Sequence, residues 1–263
     1  MNKLNVSLKI LNEIPDDAVL YYSGGIDSTV LKYIIKKYGY SFKSIYIKTS
    51  LESQKLLDYI KTEHPDTIFY NPKTTFENIV EKYRYLPTIL NPYCCSFLWT
   101  KSDKELNSQY KNIIYGVIKD DYESKNGYKV KSGSNSTAWS PLYQWTKEEI
   151  KAFADENNIN YSFEYKTEVK RNRAWSCPFC PIVDIENKML NIELYPDAYE
   201  KIKNLAYQCY ENNKALQKTY SSAEEYLDAY MNTDCKNLNL GFRKKITLDS
   251  YPEYPYGINK LLQ

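Results

Sequence analysis

An α/β fold is expected from this sequence, a doubly wound and mainly parallel sheet with a helical C-terminal subdomain. Three observations carry this. Short apolar runs alternate with stretches of helical spacing through the first half of the chain, and Gly and Ser cluster where the first strand gives way to a helix. Residues 182–231 then read as two or three consecutive helices with aromatic and aliphatic faces. Strands separated by helices lie parallel, because the crossover returns the chain to the same end of the sheet, and such sheets bind ligands at the carboxyl ends of their strands. With 263 residues the chain can bury a substantial core. We place the α/β domain at 1–181 and the helical subdomain with its tail at 182–263.

The elements follow in order. A strand is predicted near 18–22, then a helix over 27–38 whose buried stripe is Ile26, Val30, Leu31, Ile34 and Ile35. A strand at 44–48, a helix at 52–62 and the short strand Thr67-Ile68-Phe69-Tyr70 complete two strand-helix-strand units. Asn112-Ile113-Ile114-Tyr115 is a further strand running into Gly116. The polar stretch 120–137, rich in Lys, Ser, Asn and Gly, lacks periodicity and reads as a mobile loop. Thr146 followed by Glu149 forms a capping box, and Ile150, Phe153 and Ala154 give the next helix its buried face, ending near Asn157-Asn158. The segment 236–263, with Pro252 and Pro255, is expected to be an extended tail.

Charge and composition exclude several classes. Lys and Arg number 35 against 33 acids, a formal charge of +2, so nothing pulls the whole chain toward nucleic acid or membrane and any polyanion site must be local. No run of about 18 apolar residues spans a bilayer. The start Met1-Asn2-Lys3-Leu4-Asn5-Val6-Ser7 lacks the apolar core of a secretion signal, so the expected compartment is the cytoplasm. The single histidine, His64, sits at a predicted helix end, which leaves no imidazole for a nucleophilic triad.

The chemistry-bearing loop is Ser23-Gly24-Gly25-Ile26-Asp27-Ser28, set between the first strand and its helix. Glycines there bring backbone N–H groups against an anion, and the helix start adds its positive end. Ser23 and Ser28 offer hydroxyls, while Asp27 either caps the helix or reaches a magnesium ion carried with a nucleotide. The loop lacks the lysine and spacing of a Walker A sequence.

Six cysteines in such a chain are poor disulfide candidates. Cys94-Cys95 and the pair in Cys177-Pro178-Phe179-Cys180 have ligand-like spacing, suited to an iron-sulfur cluster or to zinc. A redox-active Cys177/Cys180 pair and plain burial are the other readings.

These stretches, with Lys43–Glu52, Gly116-Val117-Ile118-Lys119, Glu123-Ser124 and Ser140–Thr146, resemble in order the PP-loop superfamily, of the adenine nucleotide alpha hydrolase-like type. Its adenylyl-sulfate and phosphoadenylyl-sulfate (PAPS) reductase branch is the most similar. The resemblance implies an adenine nucleotide bound by Ser23, Gly24, Gly25, Asp27, Ser28 and Lys119. It also implies a [4Fe-4S] cluster on Cys94, Cys95, Cys177 and Cys180, and reduction of activated sulfate to sulfite with thioredoxin as partner. The family's C-terminal nucleophile motif is missing, and Cys235 is the nearest candidate for its cysteine. Lys119 stands where an arginine is expected, Lys48-Thr49-Ser50 where relatives read Asp-Thr-Gly, and Trp99 where they carry a lysine, with Lys101 nearby. Arg171 and Arg173 could meet a sulfate, a phosphate or nucleic acid. The alternatives are an ATP-dependent sulfurtransferase that adenylates nucleic acid, releases pyrophosphate and takes sulfur from a donor protein, or a non-catalytic nucleotide- or cluster-binding module.

Overall fold

A computed structural model describes residues 2–131, 136–162 and 177–233. The strands are β1 (Val19–Tyr21), β2 (Lys43–Ile47), β3 (Thr67–Tyr70), β4 (Asn112–Ile114), β5 (Lys129–Lys131) and β6 (Thr137–Trp139). They form one sheet in the order β3-β2-β1-β4-β6-β5. All pairings are parallel except β5 with β6, which run antiparallel at one edge. β1 lies between β2 and β4, with Leu20 opposite both Ser44 and Ile114. The strand order reverses at β1, and the crevice for a ligand opens at the carboxyl ends there.

The helices are α1 (Lys3–Glu13), α2 (Ile26–Lys37), α3 (Gln54–Glu63), α4 (Phe76–Tyr83), α5 (Tyr93–Cys95), α6 (Lys101–Gln109), α7 (Lys147–Glu156), α8 (Ile185–Leu194), α9 (Pro196–Asn212), α10 (Lys214–Thr219) and α11 (Ala223–Met231). A π-helical turn, Ser96–Thr100, joins α5 to α6. Successive residues of a strand face opposite sides of the sheet. Leu20 and Ile114 accordingly join one core with α1, α2 and α7, while Val19, Ile45, Ile47 and Ile113 join another with Leu106 of α6. Fully burying each such side chain contributes about 1.5–3 kcal/mol.

A second large core is helical. Phe76, Ile79 and Val80 of α4, together with Tyr93, Cys94 and Leu98, pack on Tyr195, Ile202, Ala206, Tyr226, Leu227 and Met231. Residues 76–98 are thereby fastened to the C-terminal helices.

Three expectations change. The stretch 120–137 is not loop throughout: it holds a 3-10 turn, Tyr122–Asn126, and β5, whose Val130 pairs with Ala138. Three residues are too few to show periodicity, so tertiary pairing decides. The C-terminal region has four helices, because Pro196 begins α9 directly after α8 and the Asn213 side chain caps α10. The N-terminal helix α1 escaped the sequence reading, although Asn2 caps it by accepting from the Leu4 N–H at 3.0 Å. The capping box is present as expected at Thr146 and Glu149. Among the described residues no helix is long and apolar enough to cross a membrane. The predicted tail 236–263 lies outside the described residues.

Candidate active site

β1 delivers the chain to the Ser23–Ser28 loop at the sheet's switch point, and α2 leaves from it. Gly24 has φ +76°, a region costly to any residue with a Cβ, and a Cβ there would lie 2.8 Å from Leu56 Cδ1 and 3.3 Å from Ile60 Cδ1 of α3. Gly25, the N-cap of α2, has φ −73° and ψ 160°, which any residue adopts. The hydroxyls brace the loop: Ser28 Oγ donates to the Gly25 carbonyl at 3.0 Å, and the Gly25 N–H donates to Ser23 Oγ at 3.3 Å. Ser28 Oγ also lies 3.1 Å from Ser23 Oγ. A hydroxyl has one proton, so Ser28, while it makes that bond, holds the cradle's shape instead of donating to an anion.

Gly116, just beyond β4, forms the facing wall. A Cβ on it would stand 3.1 Å from the Ser28 nitrogen and 3.2 Å from its Cα, so only glycine lets β4 approach the first turn of α2. The next residues curl back under control of two carboxylates. Asp121 accepts from the Ile118 N–H at 3.0 Å, and Asp120 accepts from the Lys147 N–H at the start of α7 at 2.9 Å.

Asp27 does not cap α2. No side chain caps that terminus, and Asp27 sits within its first turn, too late to serve as N-cap. Its carboxyl is pushed up to about 6, mainly by burial and then by the negative Asp121, with Lys147 pulling the other way. Asp120, Asp121 and Lys147 were not singled out in the sequence; the doublet Asp120-Asp121 soon after a strand was the available signal. Lys119 is fixed through its backbone, with its N–H on the Trp145 carbonyl at 2.8 Å and its carbonyl accepting from Ser124 Oγ at 2.9 Å, while the residue is exposed.

Below the cradle, Lys32 of α2 is buried and donates to Ser44 Oγ and Thr67 Oγ1, both at 2.7 Å, with Asp66 at 3.0 Å. His64 is the C-cap of α3, as expected of a helix-end residue. Its imidazole is pushed down to about 4 by burial and by Lys32 and Lys36.

The four predicted ligand cysteines come together. Cys94, Cys95, Cys177 and Cys180 line one cavity whose other walls include Leu51, Phe76, Leu98, Trp99 and Tyr230. Helix α5 and the π turn present Cys94 and Cys95, and a turn in which the Cys180 N–H bonds the Cys177 carbonyl at 3.0 Å presents the others. All four are free of disulfides. Cys94 gives its S–H to Cys95, which with burial holds Cys94 as the thiol and draws Cys95 toward thiolate. Burial and the nearby Cys180 and Cys95 push the Cys177 thiol far up. Such crowding of sulfurs against apolar walls suits a soft metal centre, whose positive charge removes the repulsion. Among the described residues no three His, Cys, Asp or Glu side chains are gathered tightly enough to hold a single metal ion.

One stretch of chain connects cavity and cradle. The turn after β2 places Thr49 Oγ1 3.9 Å from Cys177 Sγ and Leu51 against the cavity, and the α3 helix that follows puts Leu56 and Ile60 under Gly24. Ser50, at φ 65°, is tied to the Glu77 carboxylate at 2.9 Å, and Lys201 of α9 meets Glu77 at 2.8 Å. Cys209 is buried in the helical core, its thiol pushed up to about 12 by burial. Lys101 lies with its ammonium 3.9 Å from the Phe97 ring centre. Cys235, Arg171, Arg173 and the side chain of Glu123 lie outside the described residues.

Two similar proteins bear on this arrangement. A phosphoadenylyl-sulfate (PAPS) reductase from Candida auris, solved as a phosphate complex, superposes with TM-score 0.53 at 16% identity, covering 66% of this chain and 89% of that one. It shares the fold. A tRNA(Ile)-lysidine synthase from Francisella philomiragia is 25% identical over 241 residues, 83% of this chain; the chain spans 56% of that relative's length. The family pattern of the phosphoadenosine phosphosulfate reductase domain matches residues 17–171, from the strand before the cradle to the approach to Cys177. The chain belongs to the phosphoadenosine phosphosulfate reductase domain family.

Proposed function

We propose that this protein is an enzyme that binds an adenine nucleotide with its phosphate end in the Ser23–Ser28 cradle and performs sulfur chemistry beside the four-cysteine cavity. The observation that carries it is the single stretch Thr49 to Ile60, whose start touches the thiols and whose helix packs against Gly24 of the anion loop. Substrate is activated sulfate, adenylyl sulfate or phosphoadenylyl sulfate, in keeping with the family. A thiolate bonds to the sulfur, the sulfur–oxygen bond to the phosphate breaks, and the electron pair leaves with AMP or its 3′-phosphate. Reduced thioredoxin, a dithiol, then displaces sulfite from the enzyme S-sulfonate and is left as a disulfide. Cys235 is the candidate thiol. Cradle N–H groups and the α2 terminus stabilise the charge arriving on the departing phosphate. Cys94, Cys95, Cys177 and Cys180 would hold a [4Fe-4S] cluster, zinc being the alternative, and a bound cluster would supply redox capacity beside the phosphosulfate.

One observation favours a second reading, ATP-dependent sulfurtransfer. Asp27 and Asp121 sit close enough to affect one another beside the cradle. Their charges oppose a bare dianion and suit a nucleotide accompanied by magnesium. The experiment is one set of parallel incubations of anaerobically purified protein. Adenylyl sulfate or phosphoadenylyl sulfate with reduced thioredoxin should yield sulfite, with a sulfonate adduct on Cys235 by mass spectrometry. Pyrophosphate from ATP with a nucleic-acid acceptor and a sulfur donor supports the second reading. Nucleotide binding with no product from any incubation overturns both and leaves a binding module.

A further inference from the structure

Residues 82–102 contain no acid, in a chain whose charges otherwise nearly balance. Their cations are Lys82, Arg84 and Lys101, and five of them are aromatic: Tyr83, Tyr85, Tyr93, Phe97 and Trp99. The fold draws most of these into one ridge. Tyr83, at the end of α4, stacks on Tyr93 of α5 with ring centres 4.2 Å apart and planes 4° from parallel. Phe97 of the π turn meets Tyr83 edge-on at 6.1 Å, and Tyr85 meets Tyr93 edge-on at 5.5 Å. Tyr93 is buried beneath, whereas Tyr83, Tyr85 and Phe97 are half-buried and keep part of their surface in water.

Two charges are fixed on this ridge. The exposed Lys82 and Lys101 hold their ammonium groups 5.8 and 3.9 Å from the centre of the Phe97 ring, whose face attracts cations. The acids that flank the stretch in sequence are engaged elsewhere. Glu77 pairs with Lys201 at 2.8 Å and Glu105 with Lys73 at 3.1 Å, while Asp103 accepts from Asn107 at 2.8 Å and from the Tyr115 hydroxyl at 3.2 Å. Glu81 lines the groove between α4 and α9, as does Arg84. Among the described residues neither Lys82 nor Lys101 is ion-paired, so both charges are left for an outside anion.

The same turn of chain carries the thiols, since Cys95 and Trp99, two residues to either side of Phe97, line their cavity. We propose that Lys82, Lys101, Tyr83, Tyr85 and Phe97 form a docking surface for a single-stranded nucleic acid, the lysines meeting phosphates and the rings receiving unpaired bases. Every base has a π face, so such a surface tolerates any sequence, and only an unstacked base reaches it. A protein partner fits less well, because lysine is depleted at the centre of protein interfaces and here two lysines crowd one ring. The surface deepens the sulfurtransfer reading by placing its acceptor beside the cavity. The acceptor role rests on that reading; the binding does not.

Fluorescence anisotropy on the anaerobically purified protein reads the binding, with labelled single-stranded RNA and, in parallel, DNA of about 20 nucleotides, longer than most single-strand sites. Lys82→Ala/Lys101→Ala should lessen the slope of log affinity against log salt by about 0.7 for each lysine lost. Phe97→Leu keeps apolar bulk and removes the ring, and should weaken binding about fivefold or more. Lys9→Ala/Lys61→Ala removes the same charge from exposed positions on α1 and α3 and should bind as wild type. Each strand annealed to its complement should bind more weakly. The proposal is overturned if neither RNA nor DNA binds at low salt, if both lysine pairs weaken binding equally, or if duplex binds as tightly as single strand. Capture of reduced thioredoxin, and of no oligonucleotide, through Lys82 and Lys101 overturns it too. No ATP and no sulfur donor enter the titration, so an absence of pyrophosphate release defeats the sulfurtransfer reading alone. Thermal melts confirm that each variant folds, and if Phe97→Leu does not, the two lysine pairs decide.

Discussion

Gly116→Ala tests the cradle in its least obvious wall. The added methyl would sit 3.1 Å from the Ser28 nitrogen and 3.2 Å from its Cα, tighter than nearly all Cβ contacts and against backbone that cannot rotate away. Gly116 lies outside the positive-φ region, so the cost is steric alone. Overpacking of this kind costs about 1–3 kcal/mol, and at roughly 2–4 °C per kcal/mol for a chain of this size the midpoint of thermal unfolding should fall by about 2–12 °C. If β4 or the first turn of α2 yields instead, the cradle opens by a few tenths of an ångström and nucleotide affinity drops, tenfold for every ~1.4 kcal/mol. Gly39→Ala is the control. Gly39 has φ +82° and open space, with nothing within 4 Å of where a methyl would stand, so backbone strain of about 1–2 kcal/mol is expected without loss of affinity. Calorimetric titration with AMP, ATP and adenylyl sulfate, alongside thermal melts, reads both effects. A Gly116→Ala protein with wild-type melting and wild-type affinity for the nucleotide that binds would refute the assignment of Gly116 as the facing wall.

Asp27→Asn should melt above wild type at pH 7 and level with it below pH 4. A carboxyl raised from its ordinary 3.8 to about 6 costs stability progressively as pH rises through that interval, and equal melts at pH 7 would contradict the burial. His64, held near 4 against an ordinary 6.5, gives stability that is present above pH 6.5 and lost as pH falls toward 4; His64→Gln should flatten that acid limb in a pH series of melts. Cys180→Ser should lower the metal content measured by elemental analysis, and an unchanged content would remove Cys180 from the ligand set. Thr146→Ala deletes one half of the capping box on α7 and should cost about 1 kcal/mol by denaturant unfolding.

Local pattern was enough to locate the sheet's parallel half and the two candidate sites. Periodicity placed β1 through β3 with their helices to within about two residues, because each is an amphipathic or buried run bounded by turn residues. Motif spacing singled out Ser23–Ser28, which the structure sets at the sheet's switch point, and the four cysteines, which it brings to one cavity. Long-range packing settled the rest. β5 exists because β6 lies beside it, and the three residues Lys129–Lys131 are too short a run to signal a strand alone. Helix α4 and the turn bearing Cys94 join the C-terminal helices through contacts over a hundred residues apart, such as the Leu86 N–H on the Tyr226 hydroxyl at 2.7 Å, which no local pattern encodes. The burial that raises Asp27 and the approach of Gly116 to Ser28 are both properties of neighbours brought from elsewhere in the chain. Composition supplied the charges, and only packing selected which of them would be removed from water.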